Sequence, residues 1–327
     1  MQEEKYADLI WDHDEDAHKK FIDNLAPVVL FTYNRLEHTE KTIVALQQNM
    51  YAAESELYIY SDGPKNNAAK ESVEAVRAFL HQVDGFKMVH IVEREKNWGL
   101  AENIIDGVTD IVNKYGKIIV LEDDIVTAKY FLKYMNDALE VYKDETRVME
   151  INGYACENMD KNLPQAFFVE GADCWGWATW ARAWKYFQRE PEKVRDSFTQ
   201  EDIFHFDMEG AHTGYWEQII ANCKGSLYTW AIFWHAAIFK ANGLSLMPRD
   251  SFVKNEGFDG TGEHCGESNV YNATLVNNAV SKFPLVLKEN KIARENLRQF
   301  FLNHYNSSKQ NILCRGLRCI IRKLRSI

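Results

Sequence analysis

From Pro27 onward, short apolar runs alternate with longer stretches whose apolar residues recur at helical spacing. Pro27 to Tyr33 (PVVLFTY) is apolar and β-rich, the pattern of a strand buried on both faces. Residues 36–49 follow with helical spacing, Ile43 and Leu46 coming after a polar start. A second strand, Leu57 to Tyr60, stops at the turn-forming run Ser-Asp-Gly-Pro. A helix over 68–83, a strand over 86–92 and a helix over 100–115 come next, with Gly116 where a helix C-cap favours glycine. The strand Lys117 to Leu121 runs directly into Glu122-Asp123-Asp124, and a helix is expected over 128–142.

Strand–helix repetition at this spacing predicts an α/β fold, with βαβ units around a mostly parallel sheet flanked by helices. Ligands of such sheets gather at the carboxyl ends of the strands. Those ends carry Asn34 and Arg35, then Asp62, then Glu93 and Arg94, then the triplet Glu122–Asp124. Beyond about residue 150 the rhythm breaks into a Trp- and Gly-rich stretch (Trp175, Gly176, Trp177, Trp180, Trp184) and a Gly-rich loop over 257–266, GFDGTGEHCG. This half reads as structure packed on the sheet, not as an independent domain.

Composition and charge narrow the function. A chain of 327 residues with 46% apolar residues is ordinary globular material, and a net charge of −10 argues against a nucleic-acid partner. Residues 1–23 are acidic and polar, so no signal peptide is expected, and no run approaches the ~20 apolar residues of a membrane span. Six scattered cysteines without a CxxC pair disfavour a zinc site or a disulfide framework and fit the cytoplasm. The tail has a different balance: after Glu295 there is no acid, while basic residues from Arg298 to Arg325 accompany Ile312, Leu313, Leu317, Ile320, Ile321 and Leu324 at roughly helical spacing. Such a basic amphipathic helix suits peripheral contact with the inner face of a membrane through residues 309–327; the alternative is a helix packed on the body.

The densest chemistry is IIVLEDDI, three carboxylates closing an apolar strand. Packing them together is costly unless a cation neutralises them, and hard oxygen ligands suit Mn²⁺ or Mg²⁺ bridging to phosphates. Alternatively, the acids could cap a helix beginning near Thr127. There is no Walker A loop and no GxGxxG after the first strand, which leaves a nucleotide site built from side chains.

VVLFTYNRLEHTEKTIVAL, YIYSDGPK, NWGLAENIIDGV and VLEDDI occur in that order. Together they resemble the nucleotide-binding half of a GT-A glycosyltransferase of the family 2 type. The Glu-Asp-Asp form, the Trp-Gly-Trp run and the late Gly-rich loop also resemble the Golgi N-acetylglucosaminyltransferase I group. The resemblance covers about residues 27–270. It implies a Rossmann-like nucleotide-sugar-binding half (27–150) after an N-terminal extension (1–26), then an acceptor-side half with a lid loop (151–295) and the basic tail (296–327). It implies a nucleotide-sugar donor, such as a UDP-sugar, and a glycan or lipid-linked acceptor. Asn34 and Arg35 would lie by the nucleotide, Asp62 by uracil or ribose, and Asn97, Gly99 and Asn103 by the diphosphate or sugar. Asp124 would ligate the metal, with Asp123 near the ribose or a metal-bound water and Glu122 near the donor sugar. Trp175 and Trp177 would serve the acceptor, while Trp180 and Trp184 are expected in the core.

The resemblance implies inversion at the anomeric carbon, which needs a carboxylate base. Here the chain departs from the pattern: the stretch that should hold the base is Trp230-Ala231-Ile232-Phe233, without an acid. Asp259, in the Gly-rich loop, and Glu217 are the substitutes, and His264 is a candidate second metal ligand. Two other readings stay open: a catalytically inactive sugar-nucleotide-binding protein, prompted by Ala231, and a sugar-phosphate nucleotidyltransferase. The latter would want a Gly-rich basic loop after the first strand, which Asn34 to Glu37 does not offer.

Overall fold

The computed structural model describes residues 5–157, 159–260 and 271–304. His264, most of the Gly-rich loop and the amphipathic stretch from Ile312 lie outside the described residues.

The strands are β1 (Val28–Thr32), β2 (Glu56–Ser61), β3 (Met88–Glu93), β4 (Lys117–Glu122), β5 (Ile125–Thr127), β6 (Val148–Asn152), β7 (Ala166–Val169), β8 (Trp177–Trp180), β9 (Leu244–Pro248) and β10 (Val253–Asn255). Eight of them form one sheet in the order β3-β2-β1-β4-β8-β6-β9-β7. The first four are mutually parallel, β6 and β9 are parallel to each other, and β8 and β7 run against their neighbours. The sheet is therefore mostly parallel, as the strand–helix rhythm predicts, and the second half of the chain extends it instead of building another.

The helices are α1 (Glu15–Asp23), α2 (Leu36–Gln47), α3 (Lys70–Leu80), α4 (Leu100–Tyr115), α5 (Phe131–Val141), α6 (Ala181–Trp184), α7 (Pro191–Asp196), α8 (Gln200–Phe206), α9 (Tyr215–Cys223) and α10 (Ala231–Lys240). A further helix covers 291–304. The two sides of β1 show why both faces are covered. Val28 and Leu30 pack with Ile43 of α2, Val76 of α3 and Leu132 of α5. Val29 and Phe31 pack with Ile104 and Val108 of α4, and further along that face Trp177 meets Trp234 of α10. No described helix is long and apolar enough to cross a membrane.

Two local outcomes differ from the sequence pattern. The strand β3 is the sheet edge, so its side chains are half-buried or exposed, unlike those of β1. After Asp124 the chain does not enter a helix: it forms β5, which pairs antiparallel with β10, and α5 begins only at Phe131. The acid triplet therefore caps no helix. It sits on the turn between two strands.

Candidate active site

The strand order places β1 between β2 and β4, and the chain leaves β1 toward β2 on one side and reaches β4 on the other. Crossovers on opposite sides open a crevice at the carboxyl ends of the two strands, where ligands of open α/β sheets bind. Arg35 follows β1 and Glu122–Asp124 closes β4, so both reach this crevice.

Arg35 donates through Nη2 to Asp124 Oδ2 at 2.8 Å and also to Asp123 Oδ1, with Nε to Asp123 Oδ2 at 3.4 Å. Thr42 Oγ1 on α2 donates to the Asp123 carbonyl at 2.8 Å, fixing the turn. One guanidinium thus faces three acids. Burial works against the Arg35 charge, yet Asp123 and Asp124 hold its pKa above the ordinary value. Burial pushes Glu122 up to about 8, with Asp124 and Asp123 adding to the shift. Burial likewise pushes Asp123 up to about 6, against the pull of Arg35.

Negative charge is left over, and acceptor atoms are too. Among the described residues, neither Asp124 Oδ1 nor the Glu122 carboxylate takes a hydrogen bond. No group of three or more His, Cys, Asp or Glu side chains among the described residues forms a ready metal cage. Free carboxylate oxygens beside an excess of negative charge instead fit Mg²⁺ or Mn²⁺ held by Asp124, substrate phosphates and water.

The loop that begins at Gly257 starts on this cluster. Asn255 pairs with Ile125 across β10–β5, and Glu256 N–H donates to the Asp124 carbonyl at 2.9 Å. A Cβ built on Gly257 would overlap Asp124 Oδ2, so only glycine lets the backbone pass there. Asp259 is exposed and faces His38 on α2, with 3.2 Å between Oδ2 and Nε2.

Asp62, Asn97, Gly99 and Asn103 are brought together, but mostly by each other. Asp62 is buried; its Oδ1 accepts the N–H groups of Gly63 and Trp98, both at 2.8 Å. Its Oδ2 accepts from Asn97 Nδ2 and Gly99 N–H, both at 2.9 Å. An ionised carboxylate offers about four acceptor sites, and all four are taken. The expected hydrogen bond from a base or ribose therefore finds no acceptor on Asp62 in this structure. Its part here is to hold residues 97–99 against the end of β2, where a Cβ on Gly63 would strike the Lys96 backbone. Asn103 is buried and accepts from Arg94 Nε at 3.1 Å, while Arg94 stacks over Trp98 at 3.9 Å.

On the other side of β4, a cavity of about 410 Å³ opens between the segment 169–175 leading into β8, α9, α10 and the helix over 291–304. Trp175 lines it, edge-on to Tyr154, Phe258 and Tyr271 at centroid distances of 4.7, 5.5 and 5.4 Å. Trp177, expected beside it at the acceptor, is a correction: it is 0% exposed, enclosed by Trp184, Trp230 and Trp234. Trp175 precedes β8, and Gly176 between the two rings has a positive φ of 64°, so the chain turns before Trp177 opens the strand and packs with Ile104 and Trp234. Trp180 and Trp184 are buried, as expected. Glu217 is also corrected: it is exposed on α9, and its neighbour Gln218 faces the cavity. Ala231, where a base was sought, does line the cavity.

The acids that line the cavity are Glu170, 3.9 Å from Arg294, and Asp173, neither of them a sequence candidate. Behind the wall, Glu150 of β6 is fully buried, accepting the Asp173 N–H at 2.9 Å through Oε1 and Trp234 Nε1–H through Oε2. Burial holds its pKa well above the carboxylate range, against those hydrogen bonds. Burial also lowers His235 to about 4, so this cavity histidine is neutral at physiological pH. A signal was there: Glu150 interrupts the apolar run VMEIN, and Asp173 stands two residues before Trp175.

A family model described as glycosyl transferase family 2 matches residues 28–209, more than half of the chain. No curated protein matches. Two similar solved structures are TarS of S. aureus and the mannosyltransferase PcManGT of Pyrobaculum calidifontis in complex with GDP-Man and Mn2+. TarS is 16% identical over 45% of this chain, with a TM-score of 0.31, and the chain spans only 24% of it. PcManGT is 11% identical over 68% of this chain and 74% of its own length, with a TM-score of 0.37. The specific likeness to N-acetylglucosaminyltransferase I finds no support among these matches. The chain belongs to glycosyl transferase family 2.

Proposed function

We propose that this chain transfers a glycosyl unit from a nucleoside-diphosphate sugar, such as a UDP-sugar, to a glycan or lipid-linked acceptor, with inversion and with Mn²⁺ or Mg²⁺ at Asp124. The observation that carries the reading is the acid triplet at the β1–β4 crevice, where one guanidinium faces three carboxylates and Asp124 Oδ1 is free of hydrogen bonds among the described residues. When bound, the divalent cation would stabilise the negative charge that grows on the diphosphate as the anomeric bond breaks. Asp124 would hold that cation, and Arg35 would keep Asp123 and Asp124 oriented. Asp62 would position the N-terminus of α4 through residues 97–99, presenting backbone N–H groups toward a phosphate. The aromatic cavity beside β8 would take the acceptor. The basic tail supports attachment to the inner face of a membrane, close to a lipid-linked acceptor.

A thermal-shift panel of UDP, GDP, CDP and dTDP, each with Mn²⁺ or EDTA, tests the reading. Ligands that bind only the folded state raise the melting temperature, by about 2.7 kcal/mol of stabilisation at a hundredfold excess over Kd. One nucleotide should do so only with Mn²⁺, and Asp124→Ala should abolish both that shift and transfer while the fold survives. Equal shifts in EDTA, or no shift with any nucleotide, would overturn the metal-dependent reading.

A further inference from the structure

The family pattern leaves this chain without an acid at Ala231, and the exposed carboxylates Asp259 and Glu217 do not line the acceptor cavity. Asp173 does line it. Its position follows from the sheet. The strands β4 and β8 pair antiparallel with Val120 opposite Trp177, and the charge of Glu122 at the end of β4 acts on the Cys174 thiol, so residues 173–175 approach that end of β4. The chain entering β8 therefore passes the end of β4 that carries the acid triplet, and Asp173 stands at the seam between the crevice and the cavity.

The carboxylate is oriented but not used up. Backbone N–H groups of Trp175, at 2.8 Å from Oδ1, and of Cys174 hold it. No side-chain donor reaches it among the described residues, so acceptor capacity remains for a hydroxyl. The cavity volume of about 410 Å³ falls within the roughly 300–1,000 Å³ of small-molecule sites. Tyr154, Trp175, Tyr215 and Tyr271 give it aromatic walls, which suit the apolar C–H faces of a pyranose and leave the hydroxyls to the acids.

We propose that Asp173 is the general base of the transfer, taking the proton from a hydroxyl of a saccharide acceptor bound in this cavity. The assignment rests on the transferase reading above. In the step, the acceptor O–H proton passes to the Asp173 carboxylate as the acceptor oxygen bonds to the anomeric carbon. The bond from that carbon to the diphosphate oxygen breaks, and its electron pair leaves with the nucleoside diphosphate. Burial pushes Asp173 up to about 6, against the Trp175 and Cys174 N–H groups, which suits a base working near neutral pH. The titratable neighbours leave it that task. Tyr154, Cys156, Cys174 and Tyr215 are pushed up by burial and hold their protons near neutrality; Glu150 does not line the cavity, Glu170 faces Arg294 at 3.9 Å, and Glu122 lies beyond Cys174.

The test uses the full chain with Mn²⁺, following nucleoside diphosphate release from UDP-glucose, UDP-N-acetylglucosamine and GDP-mannose, with alkyl glycosides or water as acceptor. Asp173→Asn should lower kcat by roughly 10²–10⁴-fold, the typical share of a general base. It should leave the Kd of UDP or GDP with Mn²⁺ within about twofold of wild type, since the diphosphate need not touch Asp173. Sodium azide should partly restore donor cleavage in the variant and yield a glycosyl azide, because an anionic nucleophile has no proton to lose. The wild type should lose activity as pH falls through about 6, a limb readable even if the variant folds poorly. Variant turnover within tenfold of wild type, a flat wild-type profile between pH 5 and 7, or nucleotide binding without wild-type turnover would each overturn the assignment of Asp173. A wild type that binds no nucleoside diphosphate would instead overturn the transferase reading on which it rests.

Discussion

The crevice at β4 and the cavity beside β8 both hold carboxylates in partly dry surroundings, and they treat them in opposite ways. At β4 three acids on consecutive residues share one guanidinium, and acceptor oxygens are left over among the described residues. At the cavity, Asp173 on its wall and Glu150 behind it have no cationic partner among the described residues and are held by N–H groups. Crowded acids with one fixed positive charge are stabilised further by a second cation. Buried acids without a cation are stabilised by a proton; burial raises the carboxylates of both places, Asp123 and Asp173 each to about 6, and the difference between them lies in their partners. On the function proposed above, the first arrangement would suit a metal and the second would suit proton transfer. One sheet therefore presents two electrostatic solutions within a few residues of each other, on either side of the β4–β8 pair.

The sharpest way to break this contrast is to disturb the crevice without touching an acid. Gly257→Ala should push the loop or the Asp124 carboxylate aside, because the added Cβ overlaps Oδ2. Misplacing a catalytic group by about 1 Å can cost 10²-fold, so Mn²⁺-dependent UDP or GDP affinity, read by calorimetry, should fall by about that factor. Binding in EDTA should be unchanged. Unaltered Mn²⁺-dependent affinity would mean that Asp124 can move freely and that its position is not critical.

The next largest effect separates two tryptophans two residues apart. Trp177→Ala removes a fully buried ring from the cluster of Trp184, Trp230 and Trp234. It should cost about 3–5 kcal/mol in urea denaturation. Trp175→Ala removes a ring that lines the cavity and should act mainly on acceptor KM, with a smaller loss of stability. If both variants lost the same stability and kept acceptor KM, the cavity would be a packing feature and not a binding site.

Much of the crevice was legible because its chemistry is local in sequence. Apolar strands ending in polar residues mark the carboxyl edge of a parallel sheet, and Glu122 to Asp124 are consecutive. Partner choice was not legible. That Arg35 pairs with Asp123 and Asp124 across 88 and 89 residues depends on β1 and β4 being neighbours, which the sheet order decides. Asp62 looked available because its four donors come from backbone and a loop asparagine that no periodicity ties to it. The cavity was least legible. Its walls come from residues 152–156 and 169–175, α9, α10 and the segments around 258, 271 and 297–301, and no single window of sequence shows them converging. The expected helix start at Ala128 failed for a related reason: β5 forms only because β10, more than a hundred residues later, supplies its partner.

Asp62→Asn tests whether that residue is a pillar or a ligand. An amide can offer one oxygen to two N–H groups, but its NH2 then faces two donors. Loss of hydrogen bonds to a buried charged acceptor costs about 1–3 kcal/mol. Hydrogen exchange of residues 97–99 should quicken, and nucleotide affinity should drop only as far as that loop loosens. A large loss of affinity with unchanged exchange would return Asp62 to direct nucleotide contact.

The smallest expected effect is a change in the pH dependence of stability, and it bears on the proton-holding side of the contrast. Asp173 has a folded pKa pushed up to about 6 by burial, against about 3.9 in an unfolded chain. Between those values the folded state binds more protons than the unfolded one, so this group makes stability fall as pH rises from about 4 to about 6. Above that range both states are ionised and the contribution is level. Asparagine has no such titration but keeps the oxygen that accepts the Trp175 N–H. Glu150 shifts in the same direction, yet it is common to both proteins. The melting temperature of Asp173→Asn minus that of wild type should therefore increase from pH 4 to pH 7 and then flatten. Differential scanning fluorimetry in EDTA, which keeps the β4 acids free of metal in both proteins, reads this difference directly. A constant difference across that range would mean that Asp173 keeps an ordinary carboxylate pKa in the fold.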